Sequence, residues 1–308
     1  MDEKASIFFV GVPRGGSSIC SQIISSMATS RGYEICDIEA ENYNKGIRID
    51  LIPNDVFQKL SKKSTYYGPF RSTPENIIKA PLRDIYKIVV VRDPRDCIVS
   101  HYFAMKNIHT QFRPNTDLAD MKTGGGEYGE IDEHCLSVST EYKSIFSGLV
   151  SFILRNADTI VYRYEDIIFN AATWIADVNI RLALNCSEEV LNQARLQAHF
   201  VPVREDEMAH NRQGLPLDHL KYLKPPTIEA ISRILYAEMS FFGYIAKSIP
   251  LGSSSLFSQA DSYGKEIEAL KSAYYVLAAQ NHMRIEEIRE LRRKIEPPLS
   301  DSEVELSS

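Results

Sequence analysis

A short segment near the start of the chain combines glycine, arginine and serine in a pattern suited to holding an anion. It reads Gly11-Val12-Pro13-Arg14-Gly15-Gly16-Ser17-Ser18 and follows an apolar run. Glycines let backbone N–H groups turn toward a negative charge, and a helix that begins after them adds the positive end of its dipole. Arg14 supplies a positive charge from within the segment. We expect this segment, the anion loop (residues 11–18), to bind an anion; a plain strand-to-helix turn is the alternative.

The anion loop differs from the phosphate loop of nucleotide triphosphatases in one residue that matters for their chemistry. The spacing from Gly11 to Gly16 is the same, but Ser17 and Ser18 stand where that loop has lysine and then serine or threonine. The lysine that reaches the β- and γ-phosphates is therefore missing. This departure disfavours a phosphate-loop kinase or nucleotidase but leaves it as an alternative.

A second segment joins a predicted strand to a predicted helix through charged residues. An apolar run ends at Val91, and Arg92-Asp93-Pro94-Arg95-Asp96 follows, with Ser100 in the next helical turn. Asp93 suits the N-cap of a helix, and Pro94 suits its first position. The pattern predicts a helix from Pro94 to about residue 105. A capped helix with an incidental serine would also explain it.

Together, the two segments resemble the signatures of the sulfotransferase family. Pro13 to Ser18 is similar to that family's 5′-phosphosulfate loop, and Arg92 to Tyr102 is similar to its 3′-phosphate motif. The resemblance implies that the chain uses 3′-phosphoadenosine 5′-phosphosulfate (PAPS) as its donor. It implies that Arg92 and Ser100 bind the 3′-phosphate. Around the 5′-phosphosulfate it places Pro13, Arg14, Gly15, Gly16, Ser17 and Ser18.

Two weaker matches follow in the family's order. The segment from Arg163 to Asp166 is similar to one whose tyrosine lies near the adenine, which implies that role for Tyr164. The segment from Arg212 to Asp218 is similar to an element that closes on the 3′-phosphate, which implies that Arg212 and Gly214 are ligands. The resemblance spans residues 5–245. The departures from the closing element are Gln213 for lysine, Leu217 for glycine and His219 for tryptophan.

The resemblance also implies a mechanism that depends on positive charge. Sulfuryl transfer is a loose, in-line displacement in which positioning and charge stabilisation supply most of the catalysis. A sulfuryl group carries less negative charge than a terminal phosphoryl group, so basic side chains can stabilise the departing phosphate and no metal is expected. Arg14 is the first candidate. Lys79 matches a family lysine that also reaches the transferred group, with surface exposure as the alternative.

The sequence does not identify the general base that would take the acceptor's proton. Many family members have a histidine two residues after the lysine, but here that position is Pro81. Either another residue serves or the reaction proceeds without that kind of base. The candidates for that residue are Glu39, Glu41, His109 and His134. His101, beside Ser100, is explained equally well as a histidine of the helix surface or of the core.

The elements that must position these residues alternate between strands and helices. Strands are predicted over 6–12, 76–79, 86–91 and 159–162, and helices over 17–28, 94–105, 171–184, 188–198 and 226–241. Continuous apolar runs indicate strands covered on both faces, as in parallel sheets. We therefore expect an α/β domain over residues 1–250, with a mostly parallel central sheet flanked by helices and phosphate-loop topology. Residues 106–140 are predicted to form a long loop, either a binding loop or a disordered insertion.

The α/β pattern ends after Tyr244, and a different organisation follows. Residues 257–296 predict one long helix with apolar residues at heptad spacing, as in a coiled coil, and Asn281 lies in the apolar seam. An asparagine there fixes register and helix number in a coiled coil. Homodimerisation through this helix and packing of the helix onto the domain are both open. Residues 297–308 predict a disordered tail.

Composition limits the partners and the compartment. The 308 residues carry a formal net charge of −6, which argues against a nucleic-acid or anionic-membrane partner, because these demand a broad basic surface. The five cysteines lack metal-site or redox-motif spacing and predict free thiols in a reducing compartment. An acidic N-terminus and no apolar stretch of 18 residues predict a cytoplasmic protein without a signal peptide or transmembrane segment.

These observations favour a PAPS-dependent sulfotransferase whose acceptor is a hydroxyl of a sugar, lipid or small molecule. A phosphate-loop kinase or nucleotidase would instead bind ATP with magnesium and show no preference for a 3′-phosphate. A non-catalytic scaffold that acts through its C-terminal helix is the third interpretation.

Overall fold

The computed structural model describes residues 4–61, 63–110, 130–198, 214 and 216–245. Its strands are β1 (Ile7–Gly11), β2 (Glu34–Cys36), β3 (Thr65–Phe70), β4 (Tyr86–Val91) and β5 (Ile160–Arg163). Its helices are α1 (Ser17–Thr29), α2 (Ile38–Tyr43), α3 (Asn54–Gln58), α4 (Glu75–Ile78), α5 (Pro94–Thr110), α6 (Ile131–Arg155), α7 (Tyr164–Phe169), α8 (Ala171–Arg181), α9 (Glu188–Gln197), α10 (Asp218–Tyr222), α11 (Pro225–Ile234) and α12 (Tyr236–Phe241), with a 3₁₀ turn at Ile49–Leu51.

In this part of the chain the strands form a parallel five-stranded sheet with β1 at its centre. The strand order is β2-β3-β1-β4-β5. β1 and β4 pair in unbroken register from Ile7 opposite Tyr86 to Gly11 opposite Val90. The anion loop and Arg92 therefore leave the sheet at the same carboxyl edge, where ligands bind in open α/β sheets.

The side chains of β1 supply both cores of the domain. Phe8 and Val10 point into one core, and Ile7 and Phe9 point into the other, because successive strand residues face opposite sides of a sheet. All four side chains are fully buried. The first core includes residues of α4, α5, α6, α11 and α12, and the second includes residues of α1, α8 and α9. The predicted α/β class, with a parallel sheet between helices, is confirmed.

The strand predicted over 76–79 is wrong. Those residues belong mainly to α4, a single helical turn that follows Pro74 and closes with a hydrogen bond from the Ile77 amide to the Pro74 carbonyl oxygen, at 2.9 Å. The strand at this point of the sheet is β3. Its sequence contains Gly68 and Pro69, residues that are typical of turns, so the pattern conceals it.

Both ends of the predicted long loop over 106–140 are helical, and residues 111–129 lie outside the described residues. α5 continues to Thr110, and α6 begins at Ile131. Cys135, Ser139 and Tyr142 are buried at helical spacing within the first part of α6, which explains why a polar-looking stretch is helical. The predicted helix over 226–241 is instead two helices, α11 and α12, that meet at Leu235. The predicted long helix and tail over 257–308 lie outside the described residues.

Candidate active site

The anion loop forms a tight turn between β1 and α1. The Gly15 amide donates to the Val12 carbonyl oxygen at 3.0 Å. Arg14 (φ 61°) and Gly16 (φ 77°) both have left-handed backbone conformations, which for the arginine costs about 1–2 kcal/mol. No side chain in the described structure caps the N-terminus of α1. The amides of its first turn can therefore bind an anion.

Close packing explains why glycines occupy the turn. A Cβ atom on Gly16 would lie 2.4 Å from Cε2 of Tyr164, and one on Gly15 would lie 2.3 Å from Cγ2 of Val12. Ser17 is buried, and its hydroxyl donates to the Val12 carbonyl oxygen at 3.4 Å. In the same loop Pro13 is half-buried and Ser18 is exposed. A side chain at either glycine would thus clash with Tyr164 or Val12.

Three predicted ligands of the donor contact one another. Nε of Arg14 donates to Oγ of Ser100 at 3.2 Å, and Nη1 of Arg92 donates to the carbonyl oxygen of Arg14 at 3.3 Å. Arg92 follows β4, Ser100 lies on α5, and Arg14 lies in the anion loop. Arg14 and Ser100 are 86 residues apart in the chain, so their contact joins the two predicted donor-binding segments. The guanidinium groups of Arg14 and Arg92 therefore lie beside the uncapped N-terminus of α1.

Arg92 is held as a buried cation. It is 5% exposed, and its guanidinium carbon lies 4.9 Å from the centre of the Tyr164 ring, within cation–π range. Nη2 of Arg92 lies 4.0 Å from Oδ2 of Asp96. Burial is the largest single influence on the pKa of Arg92 and lowers it. The charge of Asp96 and the smaller effects of other neighbours together outweigh burial, so the pKa is raised above its usual range. Arg92 stays charged in its buried position.

Asp96 ties the beginning of α10 to α5. Its fully buried carboxylate accepts hydrogen bonds from the amides of Leu217 (2.6 Å) and His219 (3.0 Å), and it lies 2.6 Å from Nδ1 of His219. Although burial raises the pKa of Asp96, the charges of His219 and Arg92 and these hydrogen bonds lower it well below its usual range. Sequence reasoning missed this role. The departure of His219 from the family's tryptophan was the available signal.

The weakly matching segment around Tyr164 is part of the same arrangement. The Tyr164 hydroxyl donates to the carbonyl oxygen of Gly214 at 2.7 Å. The neighbouring Glu165 accepts from the amide of Asp93 and from the hydroxyl of Tyr244, both at 2.9 Å. Burial raises the pKa of Glu165. Asp93 also accepts from the Arg95 amide at 2.9 Å, as expected for the N-cap of α5.

The structure does not bring every predicted residue to the loop. Lys79 is exposed at the end of α4, and its Nζ lies 2.6 Å from Oε1 of Glu75. Arg212 lies outside the described residues. Glu39 is turned toward Arg71, whose amide donates to Oε2 at 2.8 Å and whose Nη1 lies 3.5 Å from Oε1. Burial raises the pKa of Glu39.

Two features are absent from the residues that the structure describes. No helix among them has the length and apolar character needed to cross a membrane. They also contain no group of three or more histidine, cysteine, aspartate or glutamate side chains arranged to hold a metal ion.

Comparison with known proteins identifies the family. The family model described as sulfotransferase domain matches residues 4–240. Among solved structures, the mouse sulfotransferase SULT7A1 complexed with PAP has 13% sequence identity and a TM-score of 0.52, covering 85% of this chain and 89% of that chain. Retinol dehydratase in complex with androsterone and the inactive cofactor PAP has 11% identity and a TM-score of 0.49, covering 81% and 83%. No protein among the curated sequences matches the chain.

At such low identity the similar structures show the fold alone. The family model, in contrast, matches more than half of the chain, including the anion loop and the Arg92 segment. The chain therefore belongs to the sulfotransferase domain family.

Proposed function

We propose that the chain transfers the sulfuryl group of PAPS to a hydroxyl group of a small-molecule, lipid or carbohydrate acceptor. The observation that carries this proposal is the contact of Arg14, Arg92 and Ser100 beside the uncapped N-terminus of α1. PAPS is an anion at both the 5′ and the 3′ position of its ribose. Such a donor requires positive charge and hydrogen-bond donors at two neighbouring places, and the site offers both.

Each end of the donor is assigned to one side of the site. The loop amides, with Arg14, would hold the 5′-phosphosulfate and stabilise the charge that develops on the departing phosphate. Arg92 and Ser100 would bind the 3′-phosphate, and Tyr164 would lie near the adenine. Gly214 is connected to this group through Tyr164. Arg212 and Lys79 remain predictions from the family pattern. The similarity to a sulfotransferase solved with PAP, the product that PAPS leaves after transfer, agrees with this assignment.

The remaining assignments rest on sequence. The scattered cysteines support a cytoplasmic enzyme, and the net charge of −6 disfavours a nucleic-acid partner. The lower negative charge of a sulfuryl group supports transfer without a bound metal. The heptad pattern over 257–296 supports homodimerisation through a C-terminal helix.

Thermal unfolding with adenosine 3′,5′-bisphosphate, in the presence of a metal chelator, tests the donor assignment. At 100 times the dissociation constant the ligand should stabilise the fold by about 2.7 kcal/mol, which corresponds to a rise of about 5–10 °C in the melting temperature. Arg92→Ala should remove most of that rise, and adenosine 5′-monophosphate should give a much smaller one. Arg181→Ala, which removes an exposed arginine paired with Asp177, is the matched control and should respond like the wild type.

Absence of any rise at millimolar bisphosphate would overturn the proposal. A preference for ATP with magnesium would support the kinase or nucleotidase alternative instead. Incubation with radiolabelled PAPS and a cell extract, followed by identification of the labelled product, would then define the acceptor.

A further inference from the structure

A histidine pair lies next to the proposed donor site and has no part in donor binding. His101 follows Ser100 on α5, and its ring centre lies 5.4 Å from that of His134 on α6. The His101 ring also lies 5.9 Å from the ring of Tyr142, a buried residue about two helical turns after His134 on α6. Ser100, which is assigned to the 3′-phosphate, contacts Arg14, which is assigned to the 5′-phosphosulfate. The pair therefore lies beside the place where the two parts of the donor site meet.

We infer that His101 is the general base that takes the proton of the acceptor hydroxyl. This inference rests on the proposed function. In the step, the acceptor oxygen forms a bond to sulfur while the bond from sulfur to the 5′-phosphate oxygen breaks. The electron pair of that bond stays on the phosphate, leaving adenosine 3′,5′-bisphosphate. The acceptor's proton moves to Nε2 of His101 and is later released to water.

The environment of His101 suits this role. Its Nδ1 is buried and has no hydrogen-bond partner in the described structure, whereas the residue as a whole is only half-buried. A neutral ring with its proton on Nδ1 therefore presents Nε2 to an acceptor. Burial, and then the positive charge of Arg14, lower the pKa of His101. The ring is consequently neutral near pH 7, which is the form that can accept a proton.

The groups that face His101 all favour the neutral ring. Arg14 approaches from the anion loop, and His134 and Tyr142 approach from α6. Burial, and then the influence of His101, lower the pKa of His134, so the second imidazole is also neutral near pH 7. Burial raises the pKa of Tyr142, which keeps its hydroxyl protonated. Among these described groups, none supplies a carboxylate that would hold His101 as a cation.

The other candidate bases are less well placed. Both carboxylate oxygens of Glu39 lie against Arg71, and Glu41 is exposed. The family's own position is Pro81, which has no basic side chain. His101 thus combines a free ring nitrogen with proximity to Arg14.

The transfer rate of His101→Gln is the first test, measured with radiolabelled PAPS and the small-molecule fraction of a cell extract as the acceptor pool. The rate at pH 7.5 should fall by about 100-fold or more, the usual contribution of a general base. The melting rise with adenosine 3′,5′-bisphosphate should stay as in the wild type, because donor binding does not use His101. Lys143→Gln, an exposed change on α6, is the matched control.

The pH profile separates a base from a structural residue. The wild-type rate should fall as pH decreases through the lowered pKa of His101, because protonation removes the base. His101→Gln should lack this acid limb. A limb that persists in His101→Gln but disappears in Glu39→Gln would overturn the inference and assign the base to Glu39.

The protonation of His101 can also be measured without an acceptor, by nuclear magnetic resonance. The His101 ring resonance, assigned by its absence from His101→Asn or His101→Gln, should titrate below the ordinary pKa of about 6.5 and shift when bisphosphate binds. A cationic ring at pH 7, or a resonance unaffected by bisphosphate, would refute the role of His101. Failure of the proposed function is distinguishable, because wild-type protein would then show neither a melting rise nor a labelled product.

Discussion

Nδ1 of His219 lies 2.6 Å from Oδ1 of Asp96, and both side chains are almost fully buried. The two residues are 123 positions apart in the chain. Their contact fixes the beginning of α10 against α5, directly beside Arg92. The pair therefore connects the proposed 3′-phosphate site to the segment that carries Gly214.

Asp96→Asn should be strongly destabilising. Removing the charge of Asp96 leaves the buried cation of Arg92 without its counter-charge, which costs about 3–5 kcal/mol. We expect a loss of this size in urea unfolding at pH 7, together with weaker bisphosphate binding by the variant that still folds. Asp55→Asn removes an exposed carboxylate paired with Lys59 and should change the stability by less than about 1 kcal/mol. Equal effects of the two variants would contradict the importance of the pair.

The contribution of Asp96 should also depend on pH. Its pKa is lower in the folded protein than the value of about 3.9 in the unfolded chain, so the carboxylate stabilises the fold above that value. The stabilisation is lost progressively as pH falls below about 4 toward the folded pKa. The difference in unfolding free energy between wild type and Asp96→Asn should therefore shrink between pH 6 and pH 3. A difference that does not change over this range would contradict the lowered pKa.

Gly16→Ala should damage the anion loop more than a comparable change elsewhere. The new Cβ would meet Tyr164 at 2.4 Å in a backbone conformation with φ +77°. Gly32→Ala is a matched control, because Gly32 has φ +80° but no atom within 4 Å of its Cβ position. The control should cost about 1–2 kcal/mol from backbone strain alone. Gly16→Ala should cost more and should abolish the melting rise with bisphosphate, whereas the control should retain it.

Tyr164→Phe separates the two contacts of this side chain. The phenyl ring still packs against Arg92 and Gly16, but the hydrogen bond to the Gly214 carbonyl oxygen is lost. We expect a loss of about 1 kcal/mol in stability and only a few-fold weaker bisphosphate binding by calorimetry. Tyr164→Ala, which also removes the ring, should weaken binding much further. If both variants bind equally well, the ring does not support Arg92.

Removal of residues 257–308 tests the scaffold alternative. The contacts of the proposed donor site that the structure describes all lie within residues 11–244. The shortened chain should therefore keep the melting rise with bisphosphate and the transfer of label from PAPS. Sedimentation of both forms would show whether the C-terminal segment mediates dimerisation. Loss of transfer upon truncation would mean that the segment contributes to catalysis.

Short-range patterns in the sequence determined much of the fold. Strands β1, β4 and β5, and helices α1 and α5 that follow the first two, were predictable because apolar runs and helix caps are properties of short stretches. The strand β3 was not predictable, because Gly68 and Pro69 are typical of turns and are tolerated in a strand only in this tertiary setting. The first part of α6 was not predictable either, because its many polar residues conceal the face that the tertiary structure buries.

The anion loop and the Arg92-to-Ser100 segment were likewise evident from residue type and spacing alone, since each is a continuous run whose chemistry does not depend on distant residues. Only the tertiary structure brought Arg14 against Ser100, Arg92 against Tyr164, and Asp96 against His219. It also placed Lys79 in an exposed pair with Glu75 and set His101 against His134. Contacts between residues so far apart depend on the order of strands and on helix packing, which no local pattern encodes.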